Sequence, residues 1–268
     1  MSESFDIIII GGGIAGTSAA LTAMNRGKRT AVIANPMESE SLYKAEKITN
    51  YPGLAGLSGR ELSELLRHQL EGSGVTLIRG RALNVMDMGG SFGVAVGNDF
   101  YEAKAVILAL GITREKLYPG EAEFLGRGVS YCATCDGMLY RGKTVALIGN
   151  NREAYDDADF LRGIGCNVLH FKENLRYEIR GGMKADTLIA GGQEHPVDGV
   201  FIIKDSISVS KLIDGLEYEN GAIVTKRDMS TSIPGVFACG DCTGKPYQLA
   251  KAAGEGNIAA LSACEYIK

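Results

Sequence analysis

Five consecutive residues carry the most reactive chemistry in the sequence: Cys132-Ala133-Thr134-Cys135-Asp136. Two cysteines at C-x-x-C spacing can close a small disulfide ring and reopen it by taking up two electrons. The spacing also suits zinc, which needs four ligands, usually as a second pair. None of the three histidines, His68, His170 and His195, lies near the motif. A second C-x-x-C, Cys239-Gly240-Asp241-Cys242, is present, but its central Gly-Asp has another use, given below. A redox dithiol without metal is therefore the reading. Asp136, directly after the second cysteine, is placed to give a proton to the departing thiolate.

The second chemical feature is Gly11-x-Gly13-x-x-Gly16, lying between an apolar run and an Ala/Leu-rich segment. Gly11 permits a tight turn, Gly13 lets backbone approach a pyrophosphate, and Gly16 lets the helix pack on the strand. The helix N-terminus then offers free N–H groups and the positive end of its dipole to phosphates. The strand that follows ends at Ala34-Asn35, with no acid for a ribose hydroxyl; Asn35 or Glu38 could take that role. A third motif, Gly235 to Asp241, ends in a Gly-Asp pair. Such a pair can set a backbone N–H and a carboxylate against the ribityl chain of a flavin, or simply end a strand.

Elements of regular pattern position these residues. Phe5 to Ile10 is a continuous apolar run, as in a buried parallel strand, followed by the glycine turn, a helix over Thr17 to Arg26 and a strand over Arg29 to Ala34. Gly59 to Gly72 has the leucine spacing of an amphipathic helix. Val75 to Ile78, Phe92 to Val96 and Lys104 to Leu110 read as strands. After Tyr118-Pro119-Gly120 a second βαβ unit begins: strand Lys143 to Ile148, helix Glu153 to Ile164, strand Asn167 to Phe171, then strand Val200 to Ile203. A last helix runs from about Gln248 to Tyr266. The pattern predicts one domain, 1–115 with 206–268, interrupted by another, 116–205.

The 268 residues suffice for two such domains. Apolar residues make up 45 % of the chain, as expected for a globular protein with a real core, and the formal charge of −4 is spread along it. No basic nucleic-acid patch or membrane arm is evident, and no stretch reaches membrane-spanning length. Acids precede the short apolar run near Met1, which argues against a signal peptide. Six cysteines without an export signal are expected to be reduced, in a cytoplasmic protein. Of these, Cys166 and Cys264 read as packing residues, and Cys239 and Cys242 as structural.

Taken together the motifs resemble the low-molecular-weight thioredoxin reductases over almost the whole chain. The segments that carry this are Gly11 to Gly16, Asn50-Tyr51-Pro52-Gly53, Leu108 to Gly111, Cys132 to Gly137, Gly235 to Asp241 and Gln248 to Gly256. The resemblance implies an α/β protein of two Rossmann-like domains. An FAD domain is interrupted by a shortened pyridine-nucleotide-type domain that carries the cysteine pair, and the enzyme is a homodimer. It implies that Cys135 lies nearest the flavin, that Cys132 exchanges with the protein partner and that Asp136 is the proton donor. Gly11, Gly13, Gly16, Asn50, Ala109, Gly111, Gly240, Asp241, Gln248 and Leu249 would contact FAD.

The second βαβ turn departs from that family. It reads Gly149-Asn150-Asn151-Arg152-Glu153-Ala154, with Asn151 where backbone must approach a pyrophosphate. Glu153, Asp156, Asp157 and Asp159 follow, and each close like charge costs a phosphate roughly 1 kcal/mol in a watery site. The next strand ends His170-Phe171-Lys172-Glu173-Asn174, without the family's arginines for the NADPH phosphate, and little chain separates Asn174 from Val200. NADPH and NADH are not expected to bind productively. In this the chain resembles the ferredoxin-dependent flavin thioredoxin reductases, which implies ferredoxin as electron donor and thioredoxin as acceptor. A thioredoxin disulfide sits near −270 mV, roughly, so electrons run downhill to it from a low-potential donor. Ferredoxins are acidic; Arg26, Lys28 and Arg29, or Lys172, Arg176, Arg180 and Lys184, are basic candidates for docking, or simply solvated charges. The rival readings are a second FAD in the vacated nucleotide site, an NADPH enzyme with a divergent motif, and a redox sensor that keeps FAD as structure.

Overall fold

The computed structural model describes residues 3–34, 40–43, 45–54, 56–111, 117–131, 133–150, 152–203 and 212–268. In chain order the elements are β1 (Glu3–Ile10), α1 (Ile14–Asn25), β2 (Thr30–Ala34), α2 (Glu40–Tyr43), α3 (Gly59–Glu71), β3 (Thr76–Arg79), β4 (Ala82–Asp87), β5 (Phe92–Val96) and β6 (Asp99–Leu108). Then come α4 (Glu121–Phe124), β7 (Val129–Ser130), α5 (Ala133–Asp136), β8 (Thr144–Ile148), α6 (Arg152–Gly163), β9 (Asn167–Phe171), β10 (Tyr177–Gly181), β11 (Ala185–Ala190), β12 (Gln193–Pro196) and β13 (Gly199–Ile202). The chain closes with β14 (Tyr218–Glu219), β15 (Ala222–Ile223), β16 (Val236–Ala238) and α7 (Leu249–Tyr266). Two compact units result: Met1–Arg114 with Ser208–Lys268, and Glu115–Ile207.

In the first unit the strands run in the order β3-β2-β1-β6-β5-β4, and β16 also pairs with β6. β1, β2, β3, β6 and β16 are mutually parallel, whereas β4 and β5 join antiparallel. The apolar run of β1 is buried on both faces, which explains its unbroken hydrophobicity. Ile7 and Ile9 pack with α1 and α7, and Ile8 and Ile10 pack on the opposite face with Ile33, Phe92 and Leu212. Alanines make the helical layer: Ala19, Ala20 and Ala23 of α1 meet a core shared with Ala259, Ala260 and Ala263 of α7. Small side chains there let two helices approach closely. α3 begins at a capping box, with the Ser58 hydroxyl accepting from the Glu61 N–H at 3.2 Å and the Glu61 carboxylate accepting from the Ser58 N–H at 2.7 Å.

The second unit holds a parallel sheet in the order β7-β13-β8-β9. Val145 and Leu147 of β8 face α6, and Ala146 and Ile148 face the other way. That other face is covered by a three-stranded antiparallel sheet, β10-β11-β12, through Ile179 and Leu188. The stretch from Asn174 to Val200 is therefore not an abbreviated connection, as its short polar strands lead one to expect, but a sheet of its own. Several boundaries also move, among them these: α1 starts at Ile14 instead of Thr17, β6 spans Asp99–Leu108 instead of Lys104 to Leu110, and α6 starts at Arg152 instead of Glu153. The earlier start of α1 places Gly16 inside the helix, where no side chain separates it from the turn beneath.

Candidate functional site

The carboxyl ends of β1, β6 and β16 lie side by side where the strand order reverses, the usual place for a ligand in an open α/β sheet. Gly11 follows β1 with φ +118, and a Cβ there would sit 2.1 Å from the Ala109 carbonyl oxygen. A Cβ on Gly16 would sit 1.9 Å from the Gly11 oxygen. Turn and helix can therefore close on each other only through glycine. Gly13 is the N-cap of α1 and, like the first turn of the helix, supplies no side-chain cap or acid, so among the described residues no side chain competes for the terminal N–H groups. Ala109 bonds back to β1 through its N–H, 2.8 Å from the Ile10 oxygen, with Gly111 two residues further at φ +69.

Two distant candidates are brought together: the Asn50 amide donates to the Gln248 Oε1 at 2.7 Å, across 198 residues of sequence. Gln248 is the N-cap of α7, and Leu249 packs beside Tyr51 and Leu66. Gly240 and Asp241 open the 3-10 turn Gly240–Thr243 that follows β16. Burial pushes the Asp241 carboxyl up; Lys251 pulls it down and Glu255 pushes it up further. The carboxylate makes no hydrogen bond among the described residues. Its flanking cysteines are buried: the Cys242 thiol donates to the Cys239 oxygen at 3.2 Å, and burial pushes Cys242 up to about 11 and Cys239 well above its ordinary value. Both are thiols at neutral pH, unsuited to exchange.

In the second unit, β7 leads into α5, whose backbone carries Cys135 and Asp136. Cys132 lies outside the described residues, as do Asn35, Glu38 and Asn151, and of Cys135 only the backbone is described. The elements around the pair are well packed. Ala133 is fully buried against Ala154, Ala158 and Leu161, and a Cβ on Gly137 would meet Leu161 at 2.9 Å. The Ser130 hydroxyl donates to Asp136 Oδ2 at 2.7 Å. The Tyr131 hydroxyl donates to Glu121 Oε1 at 2.8 Å, and Glu121 is itself only 1 % exposed. Burial and that carboxylate hold the Tyr131 phenol far above its usual range. The residues on either side of the motif are thus anchored through side chains that carry no recognisable signal in the sequence.

The β8–α6 turn begins with the same glycine-to-strand bond as the β1–α1 turn. Gly149 donates to the Phe171 oxygen at 2.9 Å, as Gly11 does to Ile33 at 2.9 Å. Counting from those glycines, Asn151 stands where Gly13 does and Ala154 where Gly16 does. A Cβ on Gly149 would meet the Ala154 methyl at 2.6 Å. His170 Nε2 lies 2.9 Å from the Gly149 oxygen, and the Tyr155 ring stands edge-on to the imidazole with 5.0 Å between centroids. Asp159 sits on the second turn of α6, paired with Arg162 at 2.9 Å. Of the basic candidates, Arg29 pairs with Glu3 at 2.7 Å and Arg180 with Glu178 at 2.7 Å, so neither is a lone cation.

Two sheets with parallel strands, each with a glycine-led turn at its carboxyl edge, and the short helix α5 packed on α6 define a two-domain Rossmann-like fold of the thioredoxin reductase type. The sequence profile described as pyridine nucleotide-disulphide oxidoreductase matches residues 5–180 and 169–256. The thioredoxin reductase of Treponema pallidum is 32 % identical over 100 % of this chain and 98 % of its own. Among solved structures, a ferredoxin-flavin thioredoxin reductase from Clostridium acetobutylicum superposes with a TM-score of 0.93 at 39 % identity, covering 99 % of this chain and 98 % of that one. A thioredoxin reductase from Gloeobacter violaceus gives 0.86 at 31 % identity, covering 98 % and 94 %. The chain belongs to the pyridine nucleotide-disulphide oxidoreductase family, among its thioredoxin reductases. These are FAD-binding flavoproteins, and the first unit fits FAD: the Gly11–Gly16 cradle closes only without side chains, and Asp241 is a half-buried carboxylate at the end of β16.

Proposed function

We propose that this chain is a flavin-dependent thioredoxin-disulfide reductase that draws its electrons from ferredoxin and does not use NAD(P)H. The observation that carries the second half is the β8–α6 turn. A pyrophosphate needs backbone N–H groups it can approach, and here an asparagine, Asn151, stands where Gly13 stands in the first unit, with the acids Glu153, Asp156 and Asp157 close after it. The likeness to the Clostridium acetobutylicum ferredoxin-flavin enzyme supports the same reading.

Residues 1–115 and 206–268 form the FAD domain and 116–205 the dithiol domain of a homodimer. In the first, Gly11, Gly13 and Gly16 hold the pyrophosphate, and Asn50, Ala109, Gly111, Gly240, Asp241, Gln248 and Leu249 line the rest of the cofactor. FAD held by these residues would supply chemistry that accepts electrons singly or in pairs, suited to join a one-electron donor to a two-electron disulfide. Cys135 and Cys132 take up two electrons and two protons as their S–S bond opens. The Cys132 thiolate then attacks a thioredoxin disulfide, forming one S–S bond and breaking another, and Cys135 resolves the mixed disulfide. Asp136, held by Ser130, supplies the proton that the leaving sulfur takes.

Anaerobic titration tests this. The oxidised flavin band should bleach with reduced ferredoxin and stay unchanged with excess NADPH or NADH. Rapid bleaching by either nucleotide would overturn the nucleotide-independent reading.

A further inference from the structure

α7 opens with a charge in an unfavourable place. Lys251 is its third residue, and a cation in the first turn opposes the helix dipole; no acid in that turn offsets it. The ammonium nonetheless lies largely buried, 16 % exposed, inside a ring of four oxygens. Nζ is 2.9 Å from the Gly240 oxygen, 2.9 Å from Thr243 Oγ1, 2.8 Å from the Gly244 oxygen and 3.1 Å from Glu255 Oε2. Glu255, one helical turn on and 17 % exposed, accepts from the Gly240 N–H at 2.9 Å and lies 2.9 Å from the Thr243 hydroxyl. The pair thus grips both ends of the 3-10 turn Gly240–Thr243.

From the other side α1 closes on the same turn, since a Cβ on Gly240 would meet the Ala15 methyl at 2.9 Å. Asp241, half-buried, is the polar side chain of the turn that makes no hydrogen bond among the described residues. An i,i+4 ion pair whose only task was to support a helix would lie along the helix surface. This one turns inward and spends its hydrogen bonds on another element.

We propose that Lys251 and Glu255 are positioning residues for FAD: they hold the Gly240–Thr243 turn so that Asp241 meets the cofactor without rearrangement. The proposal rests on the reading of Asp241 as an FAD ligand. A ligand group fixed in its bound geometry loses less freedom on binding, which is how such a clamp strengthens the complex.

The test is a double-mutant cycle on FAD release from the holoenzyme, followed as the rise of free FAD fluorescence after dilution. D241N should release FAD about tenfold faster than wild type, and K251M about as much. The double variant D241N/K251M should release no faster than D241N alone, because Lys251 acts through Asp241. Glu255→Gln, which keeps an acceptor for the Gly240 N–H, should show a smaller effect of the same kind. If K251M and D241N multiply, or if K251M releases FAD at the wild-type rate while D241N is fast, the positioning role is wrong. If D241N itself is unchanged, Asp241 is not a ligand and the reading beneath the proposal falls. Should K251M fail to fold, Lys251→Gln, which retains a donor, takes its place in the same cycle with the same criteria.

Discussion

Two glycines two residues apart on α7 give the sharpest prediction. Gly254 is exposed, and a Cβ there would meet nothing within 4 Å. Gly256 is buried, and its Cβ would lie 2.1 Å from the Ala15 oxygen and 3.0 Å from its carbonyl carbon. Alanine in a helix interior is favoured over glycine by about 0.8–1.0 kcal/mol, a gain both substitutions share. Gly254→Ala should keep nearly all of it and raise the melting temperature by about 2–4 °C. At Gly256 the obstacle is backbone, which cannot rotate aside, so α1 and α7 must part by about an ångström. Overpacking of this kind costs about 1–3 kcal/mol, and the alanine seam of Ala19, Ala20, Ala259 and Ala260 would loosen with it. Taking the upper end, the net loss is about 2 kcal/mol, or a melting temperature lower by about 4–8 °C. Because Ala15 lies in the first turn after Gly13, Gly256→Ala should also speed FAD release, whereas Gly254→Ala should not. Thermal unfolding by circular dichroism, with FAD fluorescence in parallel, reads both. If Gly256→Ala melts at or above wild type, or the two variants shift in the same direction, the proposed α1–α7 contact is not what limits this helix.

Three further outcomes are expected. Cys132→Ser or Cys135→Ser should each abolish reduction of thioredoxin while leaving the flavin reducible by ferredoxin; turnover surviving in both variants would exclude the dithiol route. Cys239 and Cys242 should resist alkylation in the native protein at pH 8, since a thiol near 11 is thiolate in roughly one molecule per thousand at that pH; mass spectrometry finding them modified as fast as an exposed thiol would contradict the burial. Lys104→Met should lower stability by about 0.2–1 kcal/mol at neutral pH, because Lys104 donates to Asp6 at 2.8 Å from an exposed position. That hydrogen bond holds the Asp6 carboxyl below its ordinary value. Its contribution is therefore present above the unfolded carboxyl's pKa and is lost as pH falls through the folded one. Urea unfolding should show the difference between Lys104→Met and wild type shrinking on acidification; a constant or growing difference would contradict the pairing.

Much of this architecture was readable along the chain. β5 and β9 fall at Phe92–Val96 and Asn167–Phe171, as the apolar patterning predicts. α3 announces itself through leucine spacing, and the Ser58–Glu61 box that starts it is seen in the structure. The β1–glycine–α1 unit does so because each residue's role there, a positive φ at Gly11 and a missing Cβ at Gly16, is set by neighbours within a few positions. The sheet β10-β11-β12 escaped notice for the converse reason. Its strands are short and carry charges such as Glu178, Arg180 and Glu194, so their membership is decided by the apolar face of β8 and β13 awaiting cover.

The residues that surround the site divide in the same way. Residue type and spacing alone mark Cys132, Cys135, Asp136 and the glycines, since C-x-x-C and G-x-G-x-x-G are local chemical requirements. Nothing local marks Glu121, whose carboxylate matters only because folding buries it behind Tyr131. Nor does it mark His170, which looks like an ordinary strand residue until β9 sets it against the Gly149 carbonyl. Lys251 and Glu255 stand four apart on α7, and only the approach of the turn after β16 makes them a clamp. The sequence determines which groups are available and the periodicity that builds each element. Which group meets which across 198 residues, as Asn50 meets Gln248, is decided by strand order and helix packing, because those contacts arise only once the sheet has brought the chain's distant ends together.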